Sequence, residues 1–307
     1  MANFTNDGNQ TTTQEYLCTT GLGIHQKIFL ITMNIPLSIV TLLGNVLIIF
    51  ALKKVTSLHP PSKLLLGCLA ATDLGVGLIT QPLRVGYIMS PEHFKRCYYI
   101  KLLYESIGAM FCAVSVFILT AVSADRLLAL ILGLRYIQVI TLRRAWFLVV
   151  TVWIFSIVIA LLTFYNFLIA MNFAHIVLLL CIAISTLCYM KIYLTLRHHQ
   201  TQVQGEVHQR QLDEGRIPLN IARYKKTLSS VLWVQLALLA CYLPYAIVTA
   251  TVVITRSDSK ALGLVWSVTI SLLLLNSLLN PFLYCWKMKE VRQAVKDTIR
   301  QFRCLSS

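Results

Sequence analysis

The chain has 307 residues, of which 57% are hydrophobic and only 13% charged, and it carries a formal net charge of +15 at pH 7. So oily a composition excludes an ordinary soluble domain and points to a bilayer. A cationic excess set beside apolar segments needs no nucleic acid to explain it; anionic lipid and a cytosolic partner suffice.

In chain order, Met1 to Tyr16 is polar, and the first apolar run is too long for a signal-peptide core, so no cleaved leader is expected. Asn3-Phe4-Thr5 and Asn9-Gln10-Thr11 are glycosylation sequons on this tail. Seven apolar windows of membrane length follow, at about 26–52, 62–88, 98–131, 143–166, 172–198, 224–254 and 261–286. None alternates with a period of two, which argues against a barrel. The fold class expected is an all-α membrane protein: an N-terminal tail over 1–25, a seven-transmembrane helix bundle over 26–286, and an amphipathic membrane-surface helix with a short tail over 287–307. In that last segment Val291, Ala294, Val295, Ile299 and Phe302 share one helical face, with Lys and Arg on the remainder.

Orientation follows from the basic residues. Lys53, Lys54 and Lys63 fall in the first inner loop, Arg126, Arg135, Arg143 and Arg144 in the second, and a larger group from Lys191 to Lys226 in the third. Lys287, Lys289, Arg292, Lys296, Arg300 and Arg303 follow the last span. The other side holds only Lys27, Arg84, Lys95, Arg96, Lys101, Arg256 and Lys260. The N-terminus is therefore expected outside a multi-pass plasma-membrane protein, with both sequons on that outer tail. Cys18 and Cys97 share the oxidising face, which permits one disulfide without fixing the pairing. Cys304 lies on the inner side, where S-palmitoylation and a free thiol are equally open.

Four polar features interrupt the spans. Asp73 is a lone carboxylate in the middle of the second span; Ser115, Asn276, Ser277 and Asn280 are candidates to converge on it and offer oxygens suited to a sodium ion. Asp125-Arg126 ends the third span. Pro244, in Cys241-Tyr242-Leu243-Pro244-Tyr245, kinks the sixth span. Asn280-Pro281-Phe282-Leu283-Tyr284 places a carboxamide and a proline in the seventh, where each is costly.

Together these features resemble the rhodopsin-like (class A) G-protein-coupled receptors over nearly the whole chain. Gly44-Asn45 and Asp73 match the family's first- and second-span polar residues. Asp125-Arg126-Leu127 resembles the Asp-Arg-Tyr signature, and Gly133-Leu134-Arg135-Tyr136 the second-loop pattern, with Gly133 in place of proline. Trp153 and Tyr189 fit the fourth and fifth spans. Cys241-Tyr242-Leu243-Pro244 resembles Cys-Trp-x-Pro, and Asn280 to Tyr284 matches Asn-Pro-x-x-Tyr in full. The resemblance implies a receptor, not an enzyme, with a heterotrimeric G protein and an extracellular ligand as partners. The sixth helix would swing about Pro244, and Arg126 would meet the G protein with Tyr189 and Tyr284 in support. Tyr242 replaces the toggle tryptophan, Leu238 a phenylalanine and Cys181 a proline.

The short fourth-to-fifth connection and its missing cysteine are similar to melanocortin-type receptors. Their calcium site needs three acids, of which only Glu105 matches; Leu83 and Lys101 occupy the other two places. An amine-binding aspartate is replaced by Gly108, and the seventh span lacks a retinal-binding lysine. Thr249 stands where an adenosine-type receptor carries asparagine. The candidate ligand pocket is Arg84, Lys101, Glu105, Gly108, Tyr242 and Thr249, with Arg84, Lys101 and Glu105 either pairing an anionic or zwitterionic ligand (a lipid phosphate or a small acid) or snorkelling to the interface. An orphan chemosensory receptor fits equally well. A seven-helix channel or transporter is the alternative of another class.

Tyr224 replaces the acid that would hold Arg126 to the sixth helix. Raised agonist-free signalling is therefore expected; second-messenger levels equal to mock-transfected cells would count against it.

Overall fold

The computed structural model describes residues 22–56, 58–90, 94–210, 219–255, 259–287 and 289–306. Among these, the side chains of 94–96, 167–168, 199–210, 219–235, 253, 260, 287 and 302–306 lie outside the description. The chain is an all-helical membrane bundle. Its elements are α1 (Ile24–Lys54), α2 (Pro60–Gly75), a π turn (Val76–Thr80), α3 (Gln81–Met89), α4 (Phe94–Leu132), a 3-10 turn (Gly133–Arg135), α5 (Tyr136–Val139), α6 (Leu142–Tyr165), α7 (Phe167–Arg210), α8 (Leu219–Thr255), α9 (Lys260–Lys287) and α10 (Lys289–Ser306). Six segments among the described residues are long and apolar enough to cross a membrane, and α8 adds a shorter apolar stretch, Leu236–Val252. Helices satisfy their own backbone in hydrocarbon, which is why the chain stays helical from end to end of each span.

Phe147, Leu187, Leu161 and Ile247 stand on the outside of the bundle, where lipid is the only favourable solvent. The inside is seamed with polar side chains that bond between helices. Asn45 of α1 donates to the Thr41 carbonyl at 2.9 Å and across to the Ser277 carbonyl of α9 at 3.1 Å. Ser185 of α7 donates to Thr120 Oγ1 of α4 at 3.2 Å. Ser38 of α1 donates to the Gly77 carbonyl in the π turn at 2.6 Å. Such bonds contribute about 0.6–2 kcal/mol each between membrane helices.

Three local features depart from the expectations. The fourth and fifth spans are joined by one residue, not a loop over 166–173: Asn166 Oδ1 accepts from the Ile169 amide at 3.1 Å and so starts α7 directly. Gly133 has φ +50°, a left-handed conformation closed to proline, so the glycine in the second loop goes with a different turn. In α10, Val291, Ala294 and Val295 pack against Ile48, Ala51, Leu52 and Val55 of the first span and its exit, and Thr298 is buried while Ile299 is exposed. The apolar face of α10 is thus shared between bundle and membrane.

Asn3, Asn9 and Cys18 lie outside the described residues, as do the side chains of Tyr224 and Cys304. Cys97 is buried at the start of α4.

The tightest helix contact is at Gly75, where an added Cβ would lie 2.6 Å from Cζ of Phe111. That ring is itself held edge-on to Trp153. Gly75→Ala is expected to cost about 1–3 kcal/mol by forcing the ring aside. It should lower the unfolding temperature of the solubilised protein, and Phe111→Leu on the same background should restore part of it. An unchanged unfolding temperature for Gly75→Ala would mean the ring yields freely.

Candidate functional site

Three polar centres are stacked through the bundle. The first is a cavity of about 150 Å³ enclosed by α4, α6, α7, α8, α9 and the π turn. Its wall is mainly apolar, with Glu105, His175, Tyr104, Tyr242, Tyr245 and Trp266 as the larger polar or aromatic members. His175 lies flat against Tyr245, with ring centres 5.6 Å apart and planes 16° from parallel. Its Nδ1 is 2.6 Å from the Met171 carbonyl, which sets the proton on Nδ1 and leaves Nε2 an acceptor. Nε2 is buried with no partner among the described residues. Glu105 pairs with Lys101 at 3.7 Å, one helical turn away.

Of the six residues expected to form a ligand pocket, Glu105, Gly108 and Tyr242 line this cavity. Arg84, Lys101 and Thr249 do not. Arg84 is 2% exposed, too buried to snorkel, and its Nη2 donates to the Ser267 carbonyl of α9. Lys101 turns to Glu105, and Thr249 accepts from Trp266 Nε1 at 3.2 Å behind the wall. His175, Tyr245, Tyr104 and Met171 were missed. A lone histidine in an apolar fifth span was a usable signal; the others are ordinary aromatic and thioether core residues by sequence.

Below the cavity lies Asp73, fully buried. Asn280 Nδ2 donates to its Oδ2 at 2.7 Å, and Ser115 Oγ to its Oδ1 at 3.2 Å. Ser277 and Asn276 are buried on the same helix as Asn280; Asn276 lies near Tyr242, and its Nδ2 has no hydrogen-bond partner among the described residues. No cationic side chain among the described residues is in ion-pair contact with Asp73. A buried carboxylate beside hydroxyl and amide oxygens is a donor set that fits a hard monovalent cation. Gly44 brings α1 close to this level: a Cβ there would meet Pro281 at 3.3 Å.

At the far end of α4 from the cavity, Asp125 does not form an ion pair with Arg126. Both of its oxygens are engaged elsewhere: Tyr136 Oη donates to Oδ1 at 2.6 Å and Ser62 Oγ to Oδ2 at 2.8 Å. Ser62, about three helical turns before Asp73 on the same span, was not foreseen. Arg126 is half-buried and lies within electrostatic range of Tyr136, Tyr189 and Tyr284. Tyr284 Oη is buried without a partner among the described residues. Pro244 and Pro281 lie within α8 and α9.

A ligand-sized cavity near one face, a buried acid at mid-depth and a half-free arginine at the other face together define a multi-pass membrane receptor bundle. The family model for the 7 transmembrane receptor (rhodopsin family) matches residues 44–168 and 164–284. The chain belongs to that family, whose members act as receptors and not as enzymes.

If Asp73 holds sodium, the unfolding temperature of the purified protein should rise when choline chloride is replaced by sodium chloride, and Asp73→Asn should abolish the rise. An equal response in the variant would remove Asp73 from any cation site.

Proposed function

We propose that the protein is a plasma-membrane receptor, N-terminus outside, that transmits binding of an extracellular ligand to a cytosolic heterotrimeric G protein. The observation that carries this reading is the position of Tyr242. It lines the cavity, precedes Pro244 by two residues, and lies near Asn276. Asn276 stands one turn before Asn280, which holds Asp73, and Pro281 and Tyr284 follow directly. A ligand pressing on the Tyr242 ring acts on a kinked helix where that helix touches the polar seam of the seventh span. Movement there reaches Tyr284 and Arg126 through rigid helix, with proline supplying the freedom to bend.

A sodium ion on Asp73, Ser115, Ser277 and the neighbouring carboxamide oxygens would supply the positive charge that level lacks. With Asp125 engaged by Tyr136 and Ser62, Arg126 is not pinned to it by a salt bridge, which favours raised agonist-free coupling.

The cavity favours a compact, mainly apolar ligand with hydrogen-bond donors. Two acceptors face it, His175 Nε2 and the Glu105 carboxylate, whereas Arg84 and Lys101, which would attract an acid, stand outside the wall. A donor set against a buried bare acceptor is favourable because the acceptor is otherwise unmet. A melanocortin-type peptide draws support from the one-residue fourth-to-fifth connection, the loop cysteine it lacks, Cys181 in place of the fifth-span proline, and Glu290-Val291-Arg292 after Tyr284, but not from the pocket.

The test is GTPγS binding over a G-protein panel with a chemically diverse library. For any agonist found, His175→Phe keeps the stack on Tyr245 but removes Nε2, and should weaken potency about tenfold with the maximal response intact. Tyr242→Phe should instead lower the maximal response. Ligand-independent ion flux in proteoliposomes, with no nucleotide exchange on any G protein, would sink the receptor reading.

A further inference from the structure

A second polar cluster occupies the outer half of the bundle, apart from the cavity, where α1, α3 and α9 meet. Asn34 Nδ2 donates to the Leu30 carbonyl at 2.7 Å and to Ser271 Oγ of α9 at 3.1 Å. Ser271 Oγ in turn donates to the Ser267 carbonyl at 3.3 Å, the same carbonyl that accepts from Arg84 of α3. These bonds join three spans but leave the strongest groups unmet. Arg84 is 2% exposed, and its Nη1 has no hydrogen-bond partner among the described residues. Gln81, one turn earlier on the same face of α3, is 0% exposed, and neither its amide nitrogen nor its oxygen is bonded among the described residues.

Charge decides what belongs there. The one ion pair among the described residues joins Lys101 to Glu105, so Glu105 does not neutralise Arg84. Asp73 lies eleven residues earlier on the same span, about 16 Å away along the helix axis. Among the described residues, the ionisable neighbours of Arg84 are Tyr104, Tyr87 and Tyr245, all neutral near pH 7 by their ordinary chemistry. A guanidinium taken out of water keeps its charge only beside an opposite charge or a full set of acceptors. Among the described residues, the one hydrogen bond of Arg84 is to the Ser267 carbonyl, which Ser271 shares.

We infer that Arg84 and Gln81 hold a small monovalent anion of chloride size at this seam. Arg84 Nη1 and Gln81 Nε2 supply two unmet donors on one helix face, and a halide needs only donors and positive charge. Burial limits the size: beside side chains at 0% and 2% exposure, a monatomic ion is the largest anion expected, not the head of a bulky acid. The site is separate from the cavity, since neither residue lines it. It stands or falls independently of the coupling function, because it concerns the purified chain alone.

The experiment follows the unfolding temperature of the full-length purified protein at constant sodium, with bulky gluconate exchanged for chloride or bromide. Both halides should raise it saturably by about 3 °C. The rise should persist in Asp73→Asn and be lost in Arg84→Gln and Gln81→Leu. Crystals grown in bromide should show an anomalous peak within hydrogen-bonding reach of Arg84 Nη1. A full halide response in both variants, or water alone at that position in the bromide crystals, overturns the proposal. The bromide measurement uses the unaltered protein, so it decides the matter even if the variants fail to fold.

Discussion

The bundle depends on one constraint: in hydrocarbon, a polar side chain must find its partner inside the protein. The contact that answers it most fully is Asn280 to Asp73, at 2.7 Å, joining α9 to α2. Ser115 ties α4 to the same carboxylate, and Asn45 ties α1 to the backbone of α9 at Ser277. Four spans are thereby held in one register by groups that lipid cannot solvate. Small residues then let the helices close around the seam, Gly44 against Pro281 and Gly75 against Phe111.

The same constraint explains why function is layered. Each polar centre is satisfied to a different degree, and the unsatisfied atoms mark where something else is to act. Asp125 is fully engaged by Tyr136 and Ser62, whereas Tyr284 Oη and His175 Nε2 have no partner among the described residues. Tyr242 stands between the levels, lining the cavity and lying near Asn276. Arg84 is the extreme case: among the described residues its Nη2 meets one carbonyl and its Nη1 meets none.

Much of this was legible in the chain itself. The length of the apolar windows made the fold helical and membrane-spanning, and the family motifs placed Asp73, Arg126 and the Asn280 to Tyr284 segment on their spans. The ligand pocket was less legible. Arg84 and Lys101 sit at the right depth for it, yet one turns to Ser267 and the other to Glu105. Depth is set by position along a helix, but direction depends on how that helix is rotated, and the π turn at Val76–Thr80 alters the rotation of α3 without a sequence signature. Ser62 was overlooked because its value comes from Asp125 of α4 and Tyr136 of α5, partners that its own span does not reveal.

The amino-acid sequence by itself determined that the chain crosses a membrane, which residues are costly there and at what depth they lie, because hydropathy and helical rise are local properties. Only the tertiary structure decided which costly residue meets which. Asp73 reaches Asn280, Asp125 turns from Arg126 to Tyr136 and Ser62, and Glu105 and His175 face the cavity while Arg84 does not. Those outcomes rest on helix rotation and on close approaches of a few tenths of an ångström, which depend on the surfaces of neighbouring spans and are written in no single one of them.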